Sequence, residues 1–380
     1  MTTTHHFRVG NGDMTLIKTD SGRFILIDIN IRAAADDPDD DTPDVGRQLK
    51  DRLPRDDQGR PYVDAFLLTH PDKDHCSGLQ LHFHLGPIEE WSSKTDKIVI
   101  REMWSSPIVF RRASKNYVLC ADANAWAVEA RRRVRKFRSD GYLLDGDRIL
   151  VLGEDIDGKT DDLTPILIAV DSTFARICGV TDGTFSALLL APLPPADDAE
   201  EDVLSKNNSS VIIQLTLASG NEKFAAKYLF GGDAEVAIWE RLWEKHKGQP
   251  SNLDYDVMVA PHHCSWHSLS WDSWSEKRED AKISVAAHNA LSQAKVGAWI
   301  LASSNSIKDD DNDPPCIRAK REYESILKPK SGTFRCLGDG ADTDPLEFDV
   351  SWAGPKASRA AVVAAAGVSS LIGREALAHG

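Results

Sequence analysis

Short apolar runs bounded by turn-forming residues recur along the chain. Their length and β-branched content predict strands at residues 14–18, 24–29, 63–69, 97–103, 149–152, 165–170, 187–191, 211–217, 227–231, 256–260, 283–286 and 299–302. Helical spacing takes over at 116–137, at 317–327 and at 234–246, where Val236, Trp239, Leu242 and Trp243 fall on one face. Many strands with helices between them predict a layered α/β or α+β fold. Residues 36–44, 155–164, 192–202 and 308–315 read as loops. The small-residue-rich end, 351–380, reads as a tail or terminal helix with no assigned role.

Composition narrows the function classes. A hydrophobic share of 41% fills a sizeable core, and 380 residues allow two or three domains or one large α/β domain with insertions. With 45 Lys+Arg against 59 Asp+Glu, the net charge of −14 excludes a surface given wholly to nucleic acid or anionic lipid. A polyanion partner would need a local basic patch or metal ions. No apolar run approaches the ~18 residues that span a bilayer, and the opening MTTTHHFRVG lacks the pattern of a secretory leader. The expectation is a soluble, cytoplasmic protein with no membrane partner. Cys76, Cys120, Cys178, Cys264, Cys316 and Cys336 form no CxxC pair, so reduced thiols are expected.

The candidate chemistry sits at strand ends. The run 63–69 leads straight into His70-Pro71-Asp72-Lys73-Asp74-His75, which places four metal-ligating residue types within six positions. Another run ends in Gly231-Gly232-Asp233-Ala234-Glu235, and a third in Pro261-His262-His263-Cys264-Ser265. Singly, Asp74 or Asp233 serves as a helix cap. Together, His, Asp and His delivered by three strand ends to one rim are the makings of a dinuclear hydrolase site.

In this order the motifs resemble the metallo-β-lactamase superfamily, and within it the soluble domain of the ComEC DNA-uptake proteins. Val9-Gly10-Asn11-Gly12-Asp13 with the run ending at Asp28 is similar to that family's VGQGD…LIDxG opening. His70 to His75 is similar to its HPDxDH, Asn207-Asn208-Ser209-Ser210 to its NxxS segment, Gly232-Asp233-Ala234-Glu235 to its GDxE and Pro261-His262-His263 to its PHHGS. Asp72 stands where the superfamily usually has a second histidine, Cys264 replaces a glycine, and Asp313 occupies the place of a later histidine.

The resemblance implies an αββα sandwich over residues 1–350 with a long insertion between the second and third motifs, about 80–200, that carries a basic helix. It implies two divalent metal ions. His70 and Asp72, with Asn207 as a further candidate, would hold one. Asp74, His75 and His263 or His262 would hold the other, with Asp233 bridging. Asp74, Asp233 and His263 are the residues expected to carry catalysis, and Asp28 is expected to orient a ligand histidine or else simply to turn the chain. So oxygen-rich a set favours Mn²⁺ over a His/Cys site's Zn²⁺, with imidazoles keeping Zn²⁺ in contention and Mg²⁺ a third choice.

The expected activity is hydrolysis of a phosphodiester, in nucleic acid or a nucleotide, by a metal-bound hydroxide. The alternative is a carboxylic ester, thioester, lactone, amide or peptide conjugate, as in a defence or ubiquitin-like system; a non-enzymatic metal-bound scaffold ranks last. Lys73 and Asn305 are candidates for substrate contact. Arg131, Arg132 and Arg135, in a run of six cations within residues 131–138, read either as a phosphate-tracking surface or as a solvated helix face.

Overall fold

The computed structural model describes residues 1–36, 40–107, 119–154, 158, 160–193 and 206–358. In chain order the first strands are β1 (Thr2–His6), β2 (Thr15–Lys18), β3 (Phe24–Ile27), β4 (Tyr62–Leu68), β5 (Ile98–Ser105), β6 (Arg148–Leu152), β7 (Leu167–Ile168) and β8 (Thr173–Phe174). There follow β9 (Phe185–Ala191), β10 (Ile212–Ser219), β11 (Glu222–Phe230), β12 (Tyr255–Val259), β13 (Ala294–Asn305), β14 (Thr333–Gly338), β15 (Leu346–Ser351) and β16 (Gly354–Ala357). The longer helices are α1 (Val45–Arg52), α2 (Ala121–Asp140), α3 (Val236–His246), α4 (Val285–Leu291) and α5 (Ile317–Leu327).

The two large sheets are mixed, and each is antiparallel at one side and parallel at the other. The first runs β16-β15-β1-β2-β3-β4-β5-β6-β7, antiparallel as far as β3 and parallel beyond it. The second runs β8-β9-β10-β11-β12-β13-β14, antiparallel as far as β11 and parallel beyond it. The sequence explains the difference. The parallel strands β4 and β12 are near-continuous apolar runs covered on both faces, whereas β1 and β15 alternate buried and half-exposed positions.

Period-two side-chain direction then builds the core in layers. On β4, Phe66 and Leu68 turn to a cluster containing Leu49 of α1 and Trp126 and Val134 of α2. Ala65 and Leu67 turn the other way, joining Trp104 with Leu215, Tyr228, Val257 and Leu301 of the second sheet. The far side of that sheet, with Leu229, Met258 and Ile300, is covered by Trp239 and Leu242 of α3, Ala287 of α4 and Tyr323 of α5. The content is therefore mixed α and β, with packed sheets and helices against them. No described helix is long and apolar enough to cross a membrane.

Several elements depart from the sequence expectation. Residues 283–286 are not a strand: Ser284 Oγ accepts from Ala287 N at 3.2 Å and starts α4, so a cap overrode a short apolar run. Residues 354–357 pair with β15, so the sheet extends into the expected tail. Within residues 80–200, β5, α2, β6, β7, β8 and β9 are built into the layers. The expected helix 116–137 is found as Ala121–Asp140, and residues 116–118 lie outside the described residues. Strand β1 escaped notice because Thr-Thr-Thr-His-His has no apolar pattern. Its buried polar groups find partners, with Thr2 Oγ1 donating to Ala218 O at 2.6 Å and His6 Nδ1 lying 3.1 Å from Thr15 Oγ1.

Candidate metal centre

The carboxyl ends of parallel strands from both sheets meet at one edge, the place where open α/β sheets present ligating groups. β3 exits into Asp28, β4 into Thr69 and His70, β11 into Asp233, and β12 into His262 and His263. The exits touch. Val211 N donates to Thr69 O at 2.9 Å and Asp233 N to Ser210 Oγ at 3.1 Å. Gly232 has a φ of 50°, and a Cβ there would lie 2.9 Å from Ser210 Cβ and 3.1 Å from Thr69 Cβ, so only glycine lets the two strand ends approach.

A loop from the N-terminal side closes the edge. Asn30 Nδ2 donates to Val9 O and Asn11 O, and Asp13 N donates to Asp74 O at 3.4 Å. Gly12, at φ 151°, is pressed so close that a Cβ would fall 2.2 Å from Asn30 Nδ2 and 2.7 Å from Asp74 O. The contact carries Asp13 into the group. On the other side His262, His263 and Cys264 have φ of 50°, 52° and 70°. Left-handed backbone costs a non-glycine residue roughly 1–2 kcal/mol. Such consecutive strain persists only where surrounding structure imposes it, and it aims two imidazoles inward. Bonds from His262 N to Gly232 O at 3.0 Å and from Ser265 N to His262 O at 2.9 Å hold the turn.

Asp233 lies at the middle, its two carboxylate oxygens facing different partners. Oδ1 is 2.9 Å from His75 Nε2 and 3.4 Å from His263 Nε2, and those two ring nitrogens are 3.3 Å apart. Asp74 Oδ2 approaches His263 Nε2 to 3.3 Å from the more open side. Asp233 Oδ2 is 3.6 Å from His70 Nε2 and 3.9 Å from His262 Nε2, with Asp72 Oδ2 3.9 Å from the same His70 nitrogen.

Behind the first group stand two carboxylates. Asp28, fully buried, accepts from Thr69 N at 2.7 Å and Thr69 Oγ1 at 2.6 Å, and its Oδ2 lies 2.8 Å from His75 Nδ1. Asp13 Oδ1 faces His263 Nδ1 at 3.6 Å, longer than a hydrogen bond. A carboxylate–histidine pair such as Asp28 with His75 fixes the ring so that Nε2 presents a lone pair.

Asp13, His75, Asp233 and His263, all buried, form a group whose ligand atoms lie within 4.8 Å of one another and could hold a metal ion. A physical test of fit supports a cation here. Asp13 Oδ1, His70 Nε2, Asp72 Oδ1 and Asp233 Oδ1 are buried without a directed hydrogen bond. Polar atoms in such positions are costly unless something satisfies them together.

The electrostatics point the same way. Burial works against the charge on Asp233, yet His263, His75 and His70 outweigh it and hold the carboxyl well below the usual range. Burial likewise opposes a charged His75, but Asp233 and Asp28 raise its imidazole well above an ordinary histidine; Asp233, Asp13 and Asp74 do the same for His263. His262 is lowered to about 4, chiefly by burial. Asp72 is raised, first by burial, whereas Asp74 is held low by His263 and His75 against its burial.

The edge thus brings together His70, Asp72, Asp74, His75, Asp233, His262 and His263, with Asp28 behind. Asn207 is placed differently: its Nδ2 donates to Glu235 Oε1 at 3.0 Å, and Glu235 Oε1 in turn lies 3.8 Å from His262 Nδ1. Lys73 is exposed on the turn after β4, and Asn305 N donates to Asn11 Oδ1 at 2.9 Å, beside the loop that carries Asp13. In the basic run, Arg132 has local carboxylate partners. Its guanidinium is tied to Glu129 at 2.7 Å and Asp147 at 2.6 Å, with buried Arg133 on the same Glu129, because burial of these stems against the sheet demands local counter-charges. Arg131 is half-buried and Arg135 exposed on that helix. Asp13 is the residue that the reading of the sequence missed as a member of the group, although the glycines around it gave the signal of a close backbone approach. No protein-family model and no curated protein matches the chain.

Proposed function

We propose that the chain is a dinuclear metal-dependent hydrolase of the metallo-β-lactamase type that cleaves a phosphodiester. On this reading the helix–sheet–sheet–helix layers are the αββα sandwich of that superfamily. The observation that carries the proposal is Asp233, whose Oδ1 faces His75 and His263 while Oδ2 faces His70 and His262. A single carboxylate between two sets of ring nitrogens is suited to bridge two ions.

His75, His263 and Asp74 would hold one ion, and His70, Asp72 and His262 the other. Divalent ions so held supply Lewis acidity toward the ester oxygens and a nucleophile at neutral pH. The chain's own part is positional. Thr69 fixes Asp28, and Asp28 fixes the His75 ring. The left-handed turn sets His262 and His263 to opposite oxygens of Asp233. Asp72 and Asp74 add hard anionic oxygens, which favour Mn²⁺ or Mg²⁺ and the phosphoryl chemistry those ions serve, with Zn²⁺ also accommodated by the imidazoles.

A substrate panel tests this. Bis(4-nitrophenyl) phosphate, single- and double-stranded DNA, RNA, cyclic dinucleotides and 4-nitrophenyl acetate are offered with Mn²⁺, Mg²⁺ or Zn²⁺ to wild type and Asp233→Asn. Phosphodiester turnover with Mn²⁺, lost in the variant, is expected. Turnover of the carboxylic ester alone, or of nothing, contradicts the proposal.

A further inference from the structure

Beyond the metal ligands, one buried carboxylate near the same edge has no use in the account so far. Asp313 is 8% exposed. Its Oδ1 accepts from Ser265 Oγ at 2.6 Å and from Trp266 N at 3.0 Å. Its Oδ2 has no hydrogen-bond partner among the described residues and faces His267 Nε2 at 3.9 Å. His267 itself is 42% exposed, and among the described residues Asp313 is the charged group within ion-pair distance of its ring.

The chain ties this pair on both sides to elements that carry the candidate metal centre. Ser265, which anchors Asp313 and accepts from His267 N at 3.0 Å, directly follows the left-handed turn that carries His262 and His263. Pro314 O, next to Asp313, accepts from Asn11 Nδ2 at 3.2 Å, and Asn11 belongs to the loop that brings in Asp13. A buried carboxylate behind an accessible imidazole is the arrangement that orients a histidine for proton transfer.

We propose that His267, oriented by Asp313, is the general acid that protonates the leaving oxygen of the substrate. The inference rests on the hydrolase reading above and adds the residue that handles the leaving group. As the oxygen of water bonds to phosphorus, the bond to the leaving oxygen breaks and its electron pair stays on that oxygen. Water's proton passes to solvent. The leaving oxygen takes a proton from Nδ1 of the His267 imidazolium, while Nε2–H points to Asp313. The neutral imidazole then regains a proton from solvent. Burial raises the Asp313 carboxyl, against the hydrogen bond from Ser265 and the facing His267 ring.

The test compares wild type, His267→Gln and Asp313→Asn on an activated aryl diester, bis(4-nitrophenyl) phosphate, and an alkyl one, thymidylyl-thymidine. Loss of a general acid should lower kcat on the alkyl ester by about 10²-fold or more while changing the aryl ester by less than about 3-fold, because 4-nitrophenolate leaves without a proton. The alkaline limb of the alkyl-ester kcat profile should vanish in His267→Gln, with metal content and melting temperature unchanged. Equal loss on both esters, or loss on neither, overturns the assignment. If wild type cleaves neither ester, the hydrolase reading falls and the assignment falls with it.

Discussion

Asp28→Asn exchanges one acceptor atom for a donor inside a fully buried side chain, and so tests whether His75 is presented as a ligand. The backbone should tolerate it, since Asp28 has a φ of 52°, a region asparagine visits readily. The amide oxygen can keep the bond from Thr69 N, and Thr69 Oγ1 can turn to accept. His75 Nδ1, 2.8 Å away, then meets an N–H where it met a carboxylate. The ring must accept there, which moves its remaining proton to Nε2, the nitrogen facing Asp233 and His263. A charge-assisted hydrogen bond of about 1.5–3 kcal/mol is lost. A cation at Nε2 then forces the ring's remaining proton back to Nδ1, against the amide N–H, so metal binding should weaken about 10–100-fold. Titration calorimetry of Mn²⁺ or Zn²⁺ into chelator-stripped protein measures it, with circular dichroism verifying the fold. Wild-type affinity in a folded variant refutes the role given to Asp28.

Four further outcomes follow from the same geometry. Because carboxylates raise His75 and His263 above the ordinary 6.5, metal binding near neutrality should release a proton from each, and affinity should fall as pH drops; calorimetry in buffers of different ionisation enthalpy counts the protons. In the metal-free protein that stabilisation is complete below the unfolded histidine pKa and is lost as pH rises through the raised folded values, so chemical denaturation should show declining stability on the alkaline side. Gly12→Ala places a Cβ against Asn30 and Asp74 and should cost about 1–3 kcal/mol in urea unfolding while weakening metal binding. Arg133→Ala, which leaves buried Glu129 half-paired, should cost about 3–5 kcal/mol, whereas exposed Arg135→Ser should stay within about 0.5 kcal/mol.

The parts of the fold legible in the sequence are those where local pattern and tertiary context agree. The helix Ile317–Leu327 forms over the expected residues, and β4 and β12 read as buried strands because both faces are apolar. Long-range partners decided the rest. The polar strand β1 is stabilised by Ala218, Thr15 and β15, none of which its own residues announce. The same division runs through the edge that carries the histidines. His70, Asp72, Asp74 and His75 sit close in sequence and could be read as one group. Asp13 could not, because it arrives through contacts of Gly12 with Asn30 and Asp74 that exist only in three dimensions. The basic run shows the same division: charge is visible in sequence, but the counter-charges Glu129 and Asp147 beside Arg132 become neighbours only on folding.

The central claim is that this edge holds divalent ions, and anomalous diffraction tests it most directly. Crystals of protein loaded with Mn²⁺, and separately with Zn²⁺, are measured on both sides of the corresponding absorption edge. The account predicts two anomalous peaks flanking Asp233, one among His75, His263 and Asp74 and the other among His70, His262 and Asp72. Loaded crystals with no peak within ligating distance of Asp233 would contradict it.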